Sequence, residues 1–124
     1  MQNNPLWLED CRKAYLEAAL FADWPENYSP RTIYDCKRAS WEQAARDILL
    51  FCENCKAQGL NPRRYEAQAI GYNLWLSRQG HGTGFWDTAG RCPWREVTGD
   101  KLHNIAQALG QRYLYSAGKY WAIE

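Results

Sequence analysis

Apolar residues recur at steps of three and four from the start of the chain, with Leu8, Cys11, Tyr15, Ala18 and Ala19 on one side of a helical period. Asn3 or Asn4 followed by Pro5 supplies a cap and a first-turn proline, so the pattern predicts a helix from about Pro5 to Ala22. Trp24-Pro25-Glu26-Asn27-Tyr28 interrupts it, because proline lacks a donor and restricts the residue before it. Ser29-Pro30 restarts a helix, and Ile33, Cys36, Trp41, Ala44, Ala45, Ile48, Leu49, Phe51 and Cys52 carry the period to an end near Gly59. Asn61-Pro62 predicts one further turn to about Glu66. From Gln68 the period shifts to two, with Ile70, Tyr72, Leu74 and Leu76 on one side and Trp75 opposite, which predicts a strand. The glycines of Gly80-His81-Gly82-Thr83-Gly84 read as a turn into a second strand at Phe85-Trp86.

Residues 88–97 lack a period and predict a surface loop that carries Trp94. Thr98 caps a third helix with Leu102, Ile105, Ala106 and Leu109 inward, and Gly110 ends it. Residues 112–116 and 120–123 flank Ala117-Gly118-Lys119 as a second hairpin. The expected order is ααββαββ: one α+β domain over residues 1–124, a small antiparallel sheet with helices on one face.

Composition narrows the function classes. The 124 residues are 46% hydrophobic and 23% charged, which suits a single packed core and argues against disorder. No apolar run reaches the roughly 20 residues of a membrane span. The opening residues show neither the basic nor the apolar region of a secretory signal, so we expect a cytoplasmic protein without membrane contact. The formal charge of +1 provides no field for generic polyanion binding. It is unevenly divided, net −3 over residues 1–53 and net +4 over 54–124. Five cysteines, Cys11, Cys36, Cys52, Cys55 and Cys92, make an odd set without an export signal, so free thiols are expected. Cys52 and Cys55 form a C-x-x-C, but near the end of a helical pattern, where no helix dipole lowers a thiol pKa. Cys92, His81 and His103 do not supply a matching second ligand pair, and we expect no metal and no cofactor.

The segment Gly71-Tyr-Asn-Leu-Trp-Leu-Ser-Arg-Gln-Gly-His-Gly-Thr-Gly-Phe-Trp-Asp87 resembles a family of small proteins of bacteriophages and mobile elements. Its members read G-H-D-F-W-L-T-R-N-G-H-G-A-G-F-W-D. Tyr15-Leu-Glu-Ala-Ala-Leu20, Asp35-Cys36 and Gly99-Asp-Lys-Leu102 extend the resemblance over nearly the whole chain. The motif positions shared are Trp75, Arg78, Gly80, His81, Gly82, Gly84, Phe85, Trp86 and Asp87, read structurally as a hairpin in which Arg78 pairs with Asp87 across strands. Tyr72 and Asn73 replace the family's usual His and Asp, so acid-base work by that pair is closed to this member.

Three function classes are open. As an enzyme the chain offers His81, Asp87 and Arg78, without a nucleophile in a recognised setting, and we assign no catalytic residue. As a binder of single-stranded nucleic acid it would stack bases beside Arg63, Arg64, Arg78, Arg91, Arg95 and Arg112. As a protein-binding protein it is rich in the Trp, Tyr and Arg of interface hot spots. We favour the last. The resemblance implies phage origin, hence a host protein as partner, in a defence system such as a CRISPR effector or restriction machinery. The candidate contacts are Trp94, Arg91, Arg95, Arg63, Arg64 and Tyr65. A homodimer that buries the aromatics is the structural alternative.

Overall fold

The computed structural model describes residues 5–86 and 93–124. Four helices, α1 (Trp7–Asp23), α2 (Arg38–Ala57), α3 (Ala67–Gln79) and α4 (Glu96–Ala108), precede a single hairpin, β1 (Leu114–Ala117) and β2 (Tyr120–Ile123). Short 3-10 turns at Ile33–Asp35 and Pro62–Arg64 flank α2. The α+β class stands, but the order is αααα followed by ββ, because the expected central hairpin is α3.

The reason lies in which side chains α3 buries. Ala67, Ile70, Gly71, Leu74, Trp75 and Arg78 are all buried, a stripe at steps of three and four, and Leu76 and Ser77 bury a second face. Two members of the stripe, a glycine and an arginine, carry no hydrophobic signal, so the remaining apolar residues mimic a strand. Gly71 earns its place by having no side chain: a Cβ there would overlap the carbonyl of Cys11, so α1 and α3 pack backbone to backbone. Gly80 then ends α3 in the left-handed conformation, φ 74°, and the His81 N–H donates to the Leu76 carbonyl at 3.3 Å. The glycine thus serves as a helix cap, a task that demands the same positive φ as a hairpin turn.

The second helix starts later than its period suggests. Thr32 and Asp35 cap each other's backbone, closing a separate turn. Cys36 and Lys37 remain extended and bridge to Trp121 in β2, the Lys37 N–H donating to the Trp121 carbonyl at 2.9 Å. The hairpin pairs Leu114 with Ile123 and Ala117 with Tyr120, antiparallel, as the sequence predicts. Its inner face puts Trp121 and Ile123 into the core.

The core runs between α1, α2 and α3 and is dense in aromatics. Tyr15 meets Trp75 edge on at 5.2 Å, and Phe51 stacks on Phe85 at 5.3 Å with ring planes 4° apart. Among the described residues no helix is long and apolar enough to cross a membrane.

Candidate functional site

The one buried carboxylate among the described residues is Asp47, which lies in the buried stripe of α2 with Ser40, Ala44, Ile48, Phe51 and Cys55. Its Oδ2 accepts from the Tyr15 hydroxyl at 2.9 Å, from Arg78 at 3.0 Å and from Arg112 Nε at 3.1 Å. Its Oδ1 accepts from Arg112 at 2.7 Å and from the Gln43 amide at 2.8 Å. Arg78 spends its other donors on the carbonyls of Gly110 and Leu109 at 2.7 and 3.0 Å. One carboxylate and two guanidiniums therefore join α1, α2, α3 and the end of α4, with nearly every donor satisfied. Burial and the Asp47 charge push the Tyr15 hydroxyl well above its ordinary range. For Arg112 burial opposes the charge, but the Asp47 hydrogen bond and charge outweigh it and raise the pKa. Arg78 thus sits on a buried helix face and not on a strand, and its expected partner Asp87 lies outside the described residues.

His81 and Arg78 part company. His81 turns to Asp23 at the end of α1, 2.9 Å away, and Asp23 also accepts from Trp75 Nε1 at 2.5 Å. Arg112, Gln79, Gln111 and Tyr113 share with Asp23 a polar cleft of about 320 Å³. A second histidine, His103, meets the Ser77 hydroxyl at 3.0 Å through Nδ1. Ser77 Oγ accepts the Phe85 N–H at 3.0 Å, which leaves its proton for His103. Burial lowers the His103 pKa, partly offset by Asp100, so the neutral acceptor form is favoured. These are the residue types of a hydrolase, yet Ser77 is fully enclosed, 0% exposed, and holds Phe85 in the core rather than facing a substrate.

The glycine-rich motif finishes that plug. Gly84 adopts φ 141° against Ser77, where any Cβ would collide with the serine hydroxyl. Phe85 inserts beside Phe51, and its carbonyl accepts Trp94 Nε1 at 2.7 Å. Trp94 is only 4% exposed, so the expected surface tryptophan is a core residue. Gly99 makes room for it, since a Cβ there would meet both the Trp94 ring and the Phe85 carbonyl. Tyr65 meets Trp94 edge on at 5.4 Å and is partly buried. Of the rings in the two expected cation-aromatic segments, Trp94 is therefore closed to stacking and Tyr65 is open only in part. Arg91, Thr88, Ala89, Gly90 and Cys92 lie outside the described residues. Trp86 is 39% exposed and edges against His103 at 5.9 Å.

Arg63, Arg64 and Arg95 stay exposed. Arg63 lies over the Trp7 ring at 4.8 Å, and Trp7 is itself pinned by its Nε1–H to the Tyr65 carbonyl at 3.0 Å. The placement makes Arg63 one wall of a groove of about 610 Å³ between α2 and the Pro62–Arg64 turn, lined also by Leu49, Cys52, Glu53, Lys56, Leu60 and Pro62. Leu49 and Leu50 are both exposed on α2. No motif announces this groove; the signal available was two adjacent leucines, of which a core helix face accommodates only one.

Cys52 is half-buried in that groove, its thiol pushed up to about 11 by burial, and burial raises Cys55 to about 12. Such thiols are poor nucleophiles near neutrality. Among the described residues no group of three His, Cys, Asp or Glu gathers to hold a metal. No protein-family model matches this chain, and neither a curated protein nor a solved structure is significantly similar to it.

Proposed function

We propose that this chain is a small phage-type accessory protein that works in the host cytoplasm by occupying the surface of a host protein, with a defence complex of the CRISPR or restriction kind as target. One observation supports the reading most: the groove between α2 and the Pro62–Arg64 turn is apolar along Leu49, Leu60 and Pro62 and carries Lys56 and Arg63 against a single carboxylate, Glu53. It fits a segment that presents apolar side chains followed by an acidic residue, a helix-in-groove type of contact. Arg63 is held in place by Trp7 before any partner arrives, which lowers the ordering cost of binding.

Affinity capture from host lysate with the full chain as bait, followed by reconstitution with the purified target, tests the reading. Leu49→Asp and Arg63→Glu are expected to weaken the reconstituted complex by about 30-fold or more, the scale of a hot spot. A complex indifferent to both substitutions, or a chain that only self-associates in solution, overturns it.

A further inference from the structure

The outer face of the hairpin is built for a different ligand. By register its side chains are Tyr113, Tyr115 and Ala117 on one strand, with Tyr120, Ala122 and Glu124 opposite. The three tyrosines are 67%, 43% and 44% exposed, and no Leu, Ile, Val or Met accompanies them. Exposed rings of this kind serve protein contacts as well as flat bases, and it is the cations around them that favour bases carried on a phosphate chain. Tyr115 lies opposite Ala122 and diagonal to Tyr120, about 7 to 8 Å away on the same face, within reach of two consecutive unstacked nucleotides.

The charges around the platform are cationic. Lys119 sits over the Tyr120 ring at 5.6 Å, and Arg31 reaches the Gly118 carbonyl at the hairpin tip at 3.1 Å. Lys37 and Arg38 share with Tyr120 a recess of about 380 Å³. Two acids lie nearby: Asp35 keeps its charge while bound to Thr32, and Glu42 lies 3.7 Å from Arg38 in an exposed pair weak enough for a phosphate to displace. Glu124 faces the solvent at the Tyr113 end, which directs a phosphate chain toward Tyr120 instead. We infer that this face binds single-stranded nucleic acid, two bases stacking on Tyr115 and Tyr120 while the backbone follows Lys119, Lys37 and Arg38. The face meets the start of α2, whereas the groove proposed for the protein partner lies near its other end. The two sites are therefore independent.

Fluorescence anisotropy of the full chain with labelled oligothymidylate or oligouridylate of about 15 nucleotides tests this, the two probes separating DNA from RNA. Tyr115→Ala and Tyr120→Ala are each expected to weaken binding about tenfold or more, and the matching Tyr→Phe changes by less than about threefold, because the ring is retained. The salt dependence should have a slope of about −2 to −3 on logarithmic axes, reduced in Lys37→Glu with Arg38→Glu. Leu49→Asp should leave oligonucleotide binding unchanged, which separates this site from the groove. Absence of binding to either probe, equal affinity for duplex, or binding insensitive to Tyr115→Ala and Tyr120→Ala overturns the inference. So does a protein target whose capture, in place of oligonucleotide binding, is lost with those tyrosines.

Discussion

Four tryptophans of this chain and the tyrosines of its hairpin have opposite fates, and the difference follows from their polar atoms. Trp7, Trp75, Trp94 and Trp121 are buried, and their indole N–H groups end on Tyr65 O, Asp23 Oδ2, Phe85 O and Thr32 O at 2.5 to 3.0 Å. An indole has one donor and no acceptor, so one carbonyl satisfies it and the ring can be enclosed. A phenol both donates and accepts, so enclosing it asks for two partners instead of one. Tyr113, Tyr115 and Tyr120 accordingly keep their hydroxyls in water. Tyr15 is the instructive exception: it donates to Asp47 and accepts from Arg78 at 2.9 Å each.

The largest effect is expected from removing what admits Tyr15 to the core. Asp47→Ala leaves the Arg78 charge without its counter-ion inside the protein and should cost about 3 to 5 kcal/mol in urea denaturation. A loss under about 1 kcal/mol would mean that the phenol and guanidinium find water, and the contrast drawn above would fail.

Next in size, Trp94→Phe keeps most of the ring but leaves the Phe85 carbonyl unpaired, for an expected loss of about 1 to 3 kcal/mol. Tyr115→Phe should stay within about 0.5 kcal/mol, since its hydroxyl faces solvent. Equal losses in thermal melts of the two variants would erase the distinction between tethered indoles and free phenols.

Much of the fold is readable from the period, namely α1, the body of α2, α4 and the hairpin, because most of their buried residues are apolar; the expected cap misplaces the start of α4, which begins at Glu96 with Thr98 already inside it. The larger misreadings concentrate where buried residues are not apolar. Gly71 and Arg78 conceal the helical stripe of α3, and Asp47 conceals the carboxylate that Arg78 needs. A charged residue at a core position of a helical period, as Asp47 is between Ala44 and Phe51, was the available clue to a buried ion pair. Trp94 gave no such clue: one ring in an aperiodic stretch reads as a surface feature until its pocket, made by Gly99, is seen. Of the residues singled out for binding, Arg63, Arg64 and Arg95 remain accessible, while the groove beside Arg63 is assembled from segments that sequence order keeps apart.

The smallest expected effect concerns pH. Burial lowers the His103 pKa in the folded chain below its unfolded value, so the associated stability is present above about pH 6.5 and declines as pH falls toward the folded pKa. Melting temperature should drop between pH 7 and 5, and His103→Gln should flatten that part of the profile. An unchanged slope would place the acid sensitivity elsewhere.

The strand β2 closes a wide circuit. Trp121 Nε1 donates to Thr32 O across 89 residues, and Ser40 Oγ accepts the Ile123 N–H across 83. Contacts of such separation are slow to form, since the entropy of closing the loop is lost before any of them is gained. During synthesis, residues 32–40 therefore emerge long before the strand that fixes them, with Ile33 and Cys36 uncovered in the interval. Assembly of the α2 entrance waits for β2 to leave the ribosome, and a nascent chain stalled before Trp121 should be open to proteolysis at 32–37 while its α1–α3 pair is already protected.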